Sequence, residues 1–223
     1  MNIIEYADRD MLAIDVANQI AEDLNTHLLS HETASVAVAG GTTPAPIFDD
    51  LCAADLAWSR IRVMATDERW VDSNSDRSNA RMIRERLLVN RAAAAKFVPF
   101  YVQNQDPEDA IGGIEASISS DLPISVLLLG MGEDMHTASL FPGVQGLRAA
   151  LEPTAPALAI LRPDSQPEAR ISLSARVLDA AISKHLVIYG AEKRKALQRA
   201  LLLPAEEAPI GAVLTAMTVH WAP

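Results

Sequence analysis

Residues 127–143, LLLGMGEDMHTASLFPG, carry an apolar run into a glycine-rich turn that holds Glu133, Asp134, His136, Thr137 and Ser139. The chain has five histidines, and an imidazole is the side chain whose ordinary pKa suits proton transfer near neutrality. Asp134, two residues earlier, is a carboxylate within reach that could hold one tautomer of the ring. A histidine satisfied by its surroundings is the plainer alternative for any single imidazole. Here the position beyond an apolar strand, in a loop loosened by Gly130 and Gly132, favours chemistry. The same stretch departs from the nucleotide fingerprint GxGxxG, because Met135 stands where the third glycine would be.

Two more loops follow strand-like runs. AGGTTPAP (39–46) offers Gly40 and Gly41 for close backbone approach, Thr42 and Thr43 for hydroxyls, and a helix start near Pro44, which together describe an anion site. It lacks the Gly-Lys-Ser/Thr of a Walker loop, and a tight turn with Thr43 as N-cap remains open. TDERWVDSNSDRSN (66–79) places Asp67, Glu68 and Arg69 at a strand end. Consecutive residues cannot all face one way, so the expectation is that Asp67 and Arg69 point into the crevice, with Trp70 as a plug. Downstream, Arg170 and Lys193 are cations at strand boundaries. Lys193 falls in the first turn of an expected helix, an unfavourable place for a cation unless an anion lies nearby.

Several classes are excluded by composition. The charge balance is 19 basic against 29 acidic residues, −10 net, with a pI near 4.9 and no basic stripe, so nucleic acid is not an expected partner. An anionic ligand would have to be held by local charges that outweigh this field. No apolar run reaches the roughly 18–20 residues of a membrane span, and the opening MNIIEYADRD is acidic where a secretory signal is basic, so a cytoplasmic protein is expected. The single cysteine, Cys52, cannot form an internal disulfide and reads as a packed thiol. His27, His31, His185 and His220 form no ligand set with metal spacing, so neither metal nor cofactor is expected. Ser139 lies three residues from His136 and no GxSxG elbow exists, which argues against a serine hydrolase.

The elements that must position these loops alternate. Helical spacing runs over 9–29. SVAVAG (35–40) is a strand followed by a helix, and IRVMAT (61–66) is a strand followed by a helix over 78–89 capped by Ser78 or Asn79. Further expectations are a strand in KFVPFYV, a helix near 107–119, the strand ISVLLLG, strands near 157–161 and 170–174, a helix near 175–182, the strand HLVIYG, a helix in AEKRKALQRALL, and a short helix and last strand in the tail. RAAAAK reads as a helix end, and EPTAPAL and RPDSQPEAR as exposed loops. This order predicts an α/β fold: a three-layer, largely parallel, open Rossmann-like sheet with helices on both faces, as a single domain over 1–223. Ligands of such sheets bind at the carboxyl ends of the strands.

GGTTP, TDERWV followed by SN, and GMGEDMHTASLFPG coincide in order and spacing, and together they resemble the 6-phosphogluconolactonase family, related to glucosamine-6-phosphate deaminases and sugar-phosphate isomerases. PEARISLS and GAEKRKAL resemble the family's later arginine and lysine segments. Met135 departs from the pattern, which has glycine in an Asp-Gly-His turn. The resemblance implies a metal-free hydrolase of the oxidative pentose phosphate pathway that opens 6-phospho-D-glucono-1,5-lactone, acting as a monomer or homodimer. His136 would be the general base, oriented by Asp134. Gly40, Gly41, Thr42 and Thr43, with Arg170 and Lys193, would hold the phosphate, and Asp67 and Arg69 would line the sugar end. Amides near Gly130 to Gly132, or Arg69, would face the oxyanion. Two rivals remain: an amino-sugar-phosphate deaminase or isomerase, expected to carry a carboxylate shortly after the histidine where HTASLFPG has none, and a non-catalytic sugar-phosphate sensor.

Overall fold

The computed structural model describes residues 1–164 and 166–223. In chain order the strands are β1 (Asn2–Glu5), β2 (Ala34–Val38), β3 (Ile61–Ala65), β4 (Asp67–Arg69), β5 (Lys96–Val98), β6 (Val126–Gly130), β7 (Leu158–Leu161), β8 (Arg170–Leu173), β9 (Ser183–Tyr189) and β10 (Thr218–Ala222). The helices are α1 (Arg9–Leu28), α2 (Ala45–Leu51), α3 (Asn79–Arg86), α4 (Pro107–Ile118), α5 (Leu147–Leu151), α6 (Ala175–Asp179) and α7 (Gly190–Ala200). Seven strands form one sheet in the order β1-β10-β9-β6-β2-β3-β5, and every neighbouring pair in it is parallel. The remaining three make a small antiparallel sheet, β4-β8-β7.

Side-chain alternation along the central strands makes two cores. Val36 and Val38 of β2, Val126 and Leu128 of β6, and Val187 of β9 face one side, where they meet Val16 and Ile20 of α1, Ile47 and Phe48 of α2, and Ile83 of α3. Ala37, Leu127, Leu129, Leu186 and Ile188 face the other, with Ile114 of α4, Leu178 of α6, Leu197 of α7 and Ile171 of the small sheet. Strands covered on both faces need continuous apolar runs, which explains VLLL and HLVIY. Each such aliphatic side chain stabilises the fold by roughly 1.5–3 kcal/mol on burial. Thus the expected three-layer, largely parallel fold is present.

Connectivity fixes where a ligand can sit. From β2 the chain winds outward through β3 to β5, then returns to the other side of β2 as β6 and winds through β9 to β10. The direction reverses between β2 and β6, so the loops leaving those strands diverge and open a crevice at their carboxyl ends. These are the loops AGGTTPAP and GMGEDMH.

Some local expectations differ from the structure. The opening residues form edge strand β1, RAAAAK contains a 3₁₀ turn (Asn90–Ala94) rather than a helix end, and Leu147–Leu151 is an additional short helix. Pro44 occupies the N-cap of α2 without a side-chain cap bond, so Thr43 is not a cap. Ser78 is: its Oγ accepts from the Arg81 amide at 3.1 Å.

Away from the crevice, beneath α1, a polar chain is threaded through the apolar layer. The Tyr6 hydroxyl donates to Asp15 Oδ2 at 2.5 Å, so its oxygen is left to accept from His220 Nδ1 at 2.9 Å. His220 Nε2 lies 3.1 Å from His185 Nδ1, and His185 Nε2 lies 2.9 Å from Asp23 Oδ2. Burial, followed by the proximity of His185, pushes the His220 pKa down to about 4 from an ordinary 6.5. The unfolded chain takes a proton on this residue below pH 6.5 that the folded chain refuses until about pH 4. Stability from this residue is level above pH 6.5 and falls between these values, by about 3 kcal/mol in total. Chemical denaturation of the wild type and His220→Gln from pH 7 to 4 checks this: the wild type should lose more stability over that interval.

Candidate active site

The three loops meet in a cavity of about 320 Å³ lined by residues that include Gly40, Gly41, Thr43, Asp67, Arg69, His136, Arg170 and Lys193. Of the residues expected at the site, Thr42 is exposed and lies outside this lining. Asp134 is exposed and also lies outside the lining, bonded to His136.

The β2 loop owes its path to two glycines. A Cβ on Gly40 would fall 2.0 Å from Asn79 Oδ1, so the strand end packs directly on that amide, and Gly41 has φ +86. Asn79 Nδ2 in turn donates to the Asp67 carbonyl at 2.7 Å, locking the first loop to the second. Helix α2 is seven residues long, so its dipole is a minor source of positive potential beside the side-chain cations.

In the second loop, alternation along β4 sends Asp67 and Arg69 to the cavity and Glu68 inward. Glu68 is buried and accepts from the amides of Arg69 (2.9 Å), Asn79 (2.8 Å) and Ala80 (2.7 Å) and from Ser78 Oγ (3.1 Å). It anchors the loop and caps α3. Burial raises its pKa, while the Ala80 and Asn79 amides pull the other way. Trp70 packs edge-on against Tyr101 at 5.1 Å between centroids and does plug the loop.

The small sheet brings the arginines together. Arg69 and Arg170 are direct cross-strand partners, and Asp67 is paired with Ser172 two positions along. Like charges placed opposite one another repel, and Asp67 offsets this: its Oδ2 lies 3.7 Å from Arg170 Nη1 and accepts from Ser139 Oγ at 2.5 Å. Ser139 is therefore buried against a carboxylate, as part of the frame that holds Asp67. Burial draws the Arg170 pKa down, and the Asp67 charge opposes the shift. The Nε atoms of both Arg69 and Arg170 are buried without a hydrogen-bond partner among the described residues. Lys193, half-buried in the first turn of α7, adds a third cation to the lining. The chain as a whole carries −10, yet this cavity presents three cations against one carboxylate.

His136 stands on the loop after β6. Its Nδ1 is 2.5 Å from Asp134 Oδ1, which fixes the proton on Nδ1 and leaves Nε2 as the basic nitrogen. Gly132 permits this: a Cβ there would lie 2.3 Å from His136 Nδ1 and 2.4 Å from Asp134 Oδ1. The Gly132 amide donates to the His136 carbonyl at 3.0 Å, so it is not available to an oxyanion. Met135 adopts φ +66, the angle that glycine would take freely. The cost of about 1–3 kcal/mol for a residue in a sparsely populated region is offset by burial of its side chain in the core and by the Ile210 amide, which donates to its carbonyl at 3.1 Å.

Sequence reasoning did not single out Phe141 or Gln166. Phe141 lines the cavity with its ring centroid 4.2 Å from that of His136, and Gln166 Oε1 accepts from Arg170 Nη2 and, at 3.3 Å, from Arg77 Nη2. A phenylalanine and a loop glutamine carry no spacing signal. Among the described residues no group of three or more His, Cys, Asp or Glu is arranged to hold a metal, and no helix is long and apolar enough to cross a membrane.

The whole chain compares closely with known proteins. Residues 7–221 match the family described as glucosamine-6-phosphate isomerases/6-phosphogluconolactonase. A 6-phosphogluconolactonase of Mesorhizobium japonicum is 39% identical over 98% of this chain and 94% of its own length. The crystal structure of a 6-phosphogluconolactonase from Shewanella baltica superposes with a TM-score of 0.95 at 31% identity, covering 100% of this chain and 98% of that one. A monomeric glucosamine-6-phosphate deaminase shares the fold at a TM-score of 0.76 and 19% identity, over 100% of this chain and 97% of the other. From its motifs, its topology and these matches, the chain belongs to the glucosamine-6-phosphate isomerase/6-phosphogluconolactonase family.

Proposed function

We propose that this protein hydrolyses 6-phospho-D-glucono-1,5-lactone to 6-phosphogluconate, a cytoplasmic step of the oxidative pentose phosphate pathway, with residues 1–223 acting as one unit on a small-molecule substrate. The observation that carries this reading is one cavity with a carboxylate-oriented imidazole, His136, and a cationic group made by Arg69, Arg170 and Lys193. The first suits proton transfer to and from water, and the second suits a phosphate.

His136 Nε2 takes a proton from water as the water oxygen attacks the lactone C1 carbonyl. The C1 oxygen becomes an alkoxide in the tetrahedral intermediate. With the Gly132 amide engaged elsewhere, the guanidinium of Arg69 in the cavity lining is the donor that would meet it. The intermediate collapses, the bond from C1 to the ring oxygen breaks, and the imidazolium returns its proton to that oxygen. Asp134 steadies the imidazolium throughout. Asp67, fixed by Ser139, holds Arg170 and faces the sugar. The phosphate is gripped by Arg170 and Lys193 with Gly40, Gly41 and Thr43 alongside, so binding far from C1 orients the carbonyl. The deaminase reading lacks the expected carboxylate: Phe141 stands where HTASLFPG would have to supply one.

Lys193→Met removes one charge-assisted contact of about 1.5–3 kcal/mol. KM for the lactone should rise about 10- to 100-fold, with kcat changed far less, as steady-state kinetics would record. The test of the reading itself is hydrolysis of freshly generated lactone, corrected for spontaneous opening, with ammonia release from glucosamine 6-phosphate measured in parallel and chelator present. Acceleration of lactone opening without ammonia supports the lactonase. Ammonia release without lactone opening overturns it, and inactivity in both assays favours a sensor.

A further inference from the structure

Phe141 has no part in proton transfer or phosphate binding, yet it is the side chain that touches the machinery of both. Its ring lies 4.2 Å from the His136 ring, centroid to centroid, at a tilt of 38°. The Arg170 guanidinium carbon sits over the same ring, 5.2 Å from its centroid. His136 comes from the loop after β6 and Arg170 from the first position of β8, two segments of different sheets. Neither contact depends on a hydrogen bond that a ligand would displace. A tilted aromatic pair and a guanidinium over a π face are both attractive, and a phenyl ring is rigid. One ring in contact with both groups therefore fixes the distance between them.

That distance matters because a ligand carrying a phosphate at one end and an acyl carbonyl at the other is a measure of fixed length. Proton transfer from the attacking water requires the carbonyl to come to rest close to Nε2 once the phosphate is seated. We propose that Phe141 is a positioning residue that sets the spacing between His136 and Arg170 and so selects phosphorylated lactones by length. The substrate class rests on the lactonase reading above; the spacing role rests on the contacts alone.

Three variants separate a spacer from a space-filler. Phe141→Leu fills much of the volume but offers no face to the guanidinium, Phe141→Ala fills little, and Phe141→Tyr keeps the ring. For the leucine and alanine variants kcat on the phosphorylated lactone should fall about 10- to 100-fold while KM stays within about threefold, the signature of misplacement rather than lost binding. Tyrosine should restore most of kcat. Leucine as active as tyrosine, or a loss confined to KM, overturns the proposal. A second readout needs no substrate. In the ligand-free protein, NMR signals of the His136 Cε1 proton and the Arg170 Nε–H should both shift in Phe141→Leu and stay near their wild-type positions in Phe141→Tyr. If only one moves, or neither, the ring does not link the two groups. Absence of lactone turnover by the wild type would count against the lactonase reading and leave this spectroscopic test in force.

Discussion

Gly132→Ala should lower kcat about 100-fold or more while leaving the affinity for 6-phosphogluconate within about threefold. The methyl group would be built 2.3 Å from His136 Nδ1 and 2.4 Å from both His136 Cε1 and Asp134 Oδ1. Those atoms belong to a ring and to its carboxylate partner, so relief requires the imidazole to turn or the Asp134 bond to break. Either movement removes Nε2 from the place where water would be activated. The cations sit on other elements and keep their positions. Steady-state kinetics together with calorimetric titration of the product separates the two effects. A variant that loses product affinity in proportion to kcat would mean that the loop as a whole had collapsed.

Much of this was legible before any coordinates. Continuous apolar runs and the 3.6-residue helical spacing pointed to the parallel sheet and its covering helices, because strands buried on both faces leave long apolar runs that single residues cannot disguise. Asp67 and Arg69 were separable from Glu68 by alternation alone. The small sheet was harder to see: DER is three residues of charge with no apolar pattern, and its pairing with RISL spans about a hundred positions. That pairing makes Arg69 and Arg170 neighbours, a proximity that their separation in sequence does not reveal. Thr42 and Thr43 are indistinguishable in sequence, and only the turn at Gly41 decides which reaches the cavity. The Gly132 amide looked available because nothing local announces its bond to the His136 carbonyl.

Local charge also explains how an acidic protein can receive an anion. Arg69, Arg170 and Lys193 surround one cavity, and Asp67, the carboxylate among its lining residues, is engaged by Ser139 and lies beside Arg170. Groups this close act over distances shorter than the roughly 8 Å screening length at physiological salt, whereas the remaining surface charge acts mainly from farther away. The proposed phosphate end of the site would therefore be governed by its own residues and the proposed proton-transfer end by the Asp134–His136 pair.

The central claim is that His136 Nε2 activates the water, and it is tested most directly by the background-corrected rate of lactone opening in His136→Ala against the wild type. The expected result is a fall in kcat of about 10²- to 10⁴-fold, the usual contribution of general acid–base catalysis. Product affinity should be nearly unchanged, because the cations proposed to bind the phosphate remain. A variant that opens the lactone as fast as the wild type would contradict the account and return His136 to the role of a structural residue.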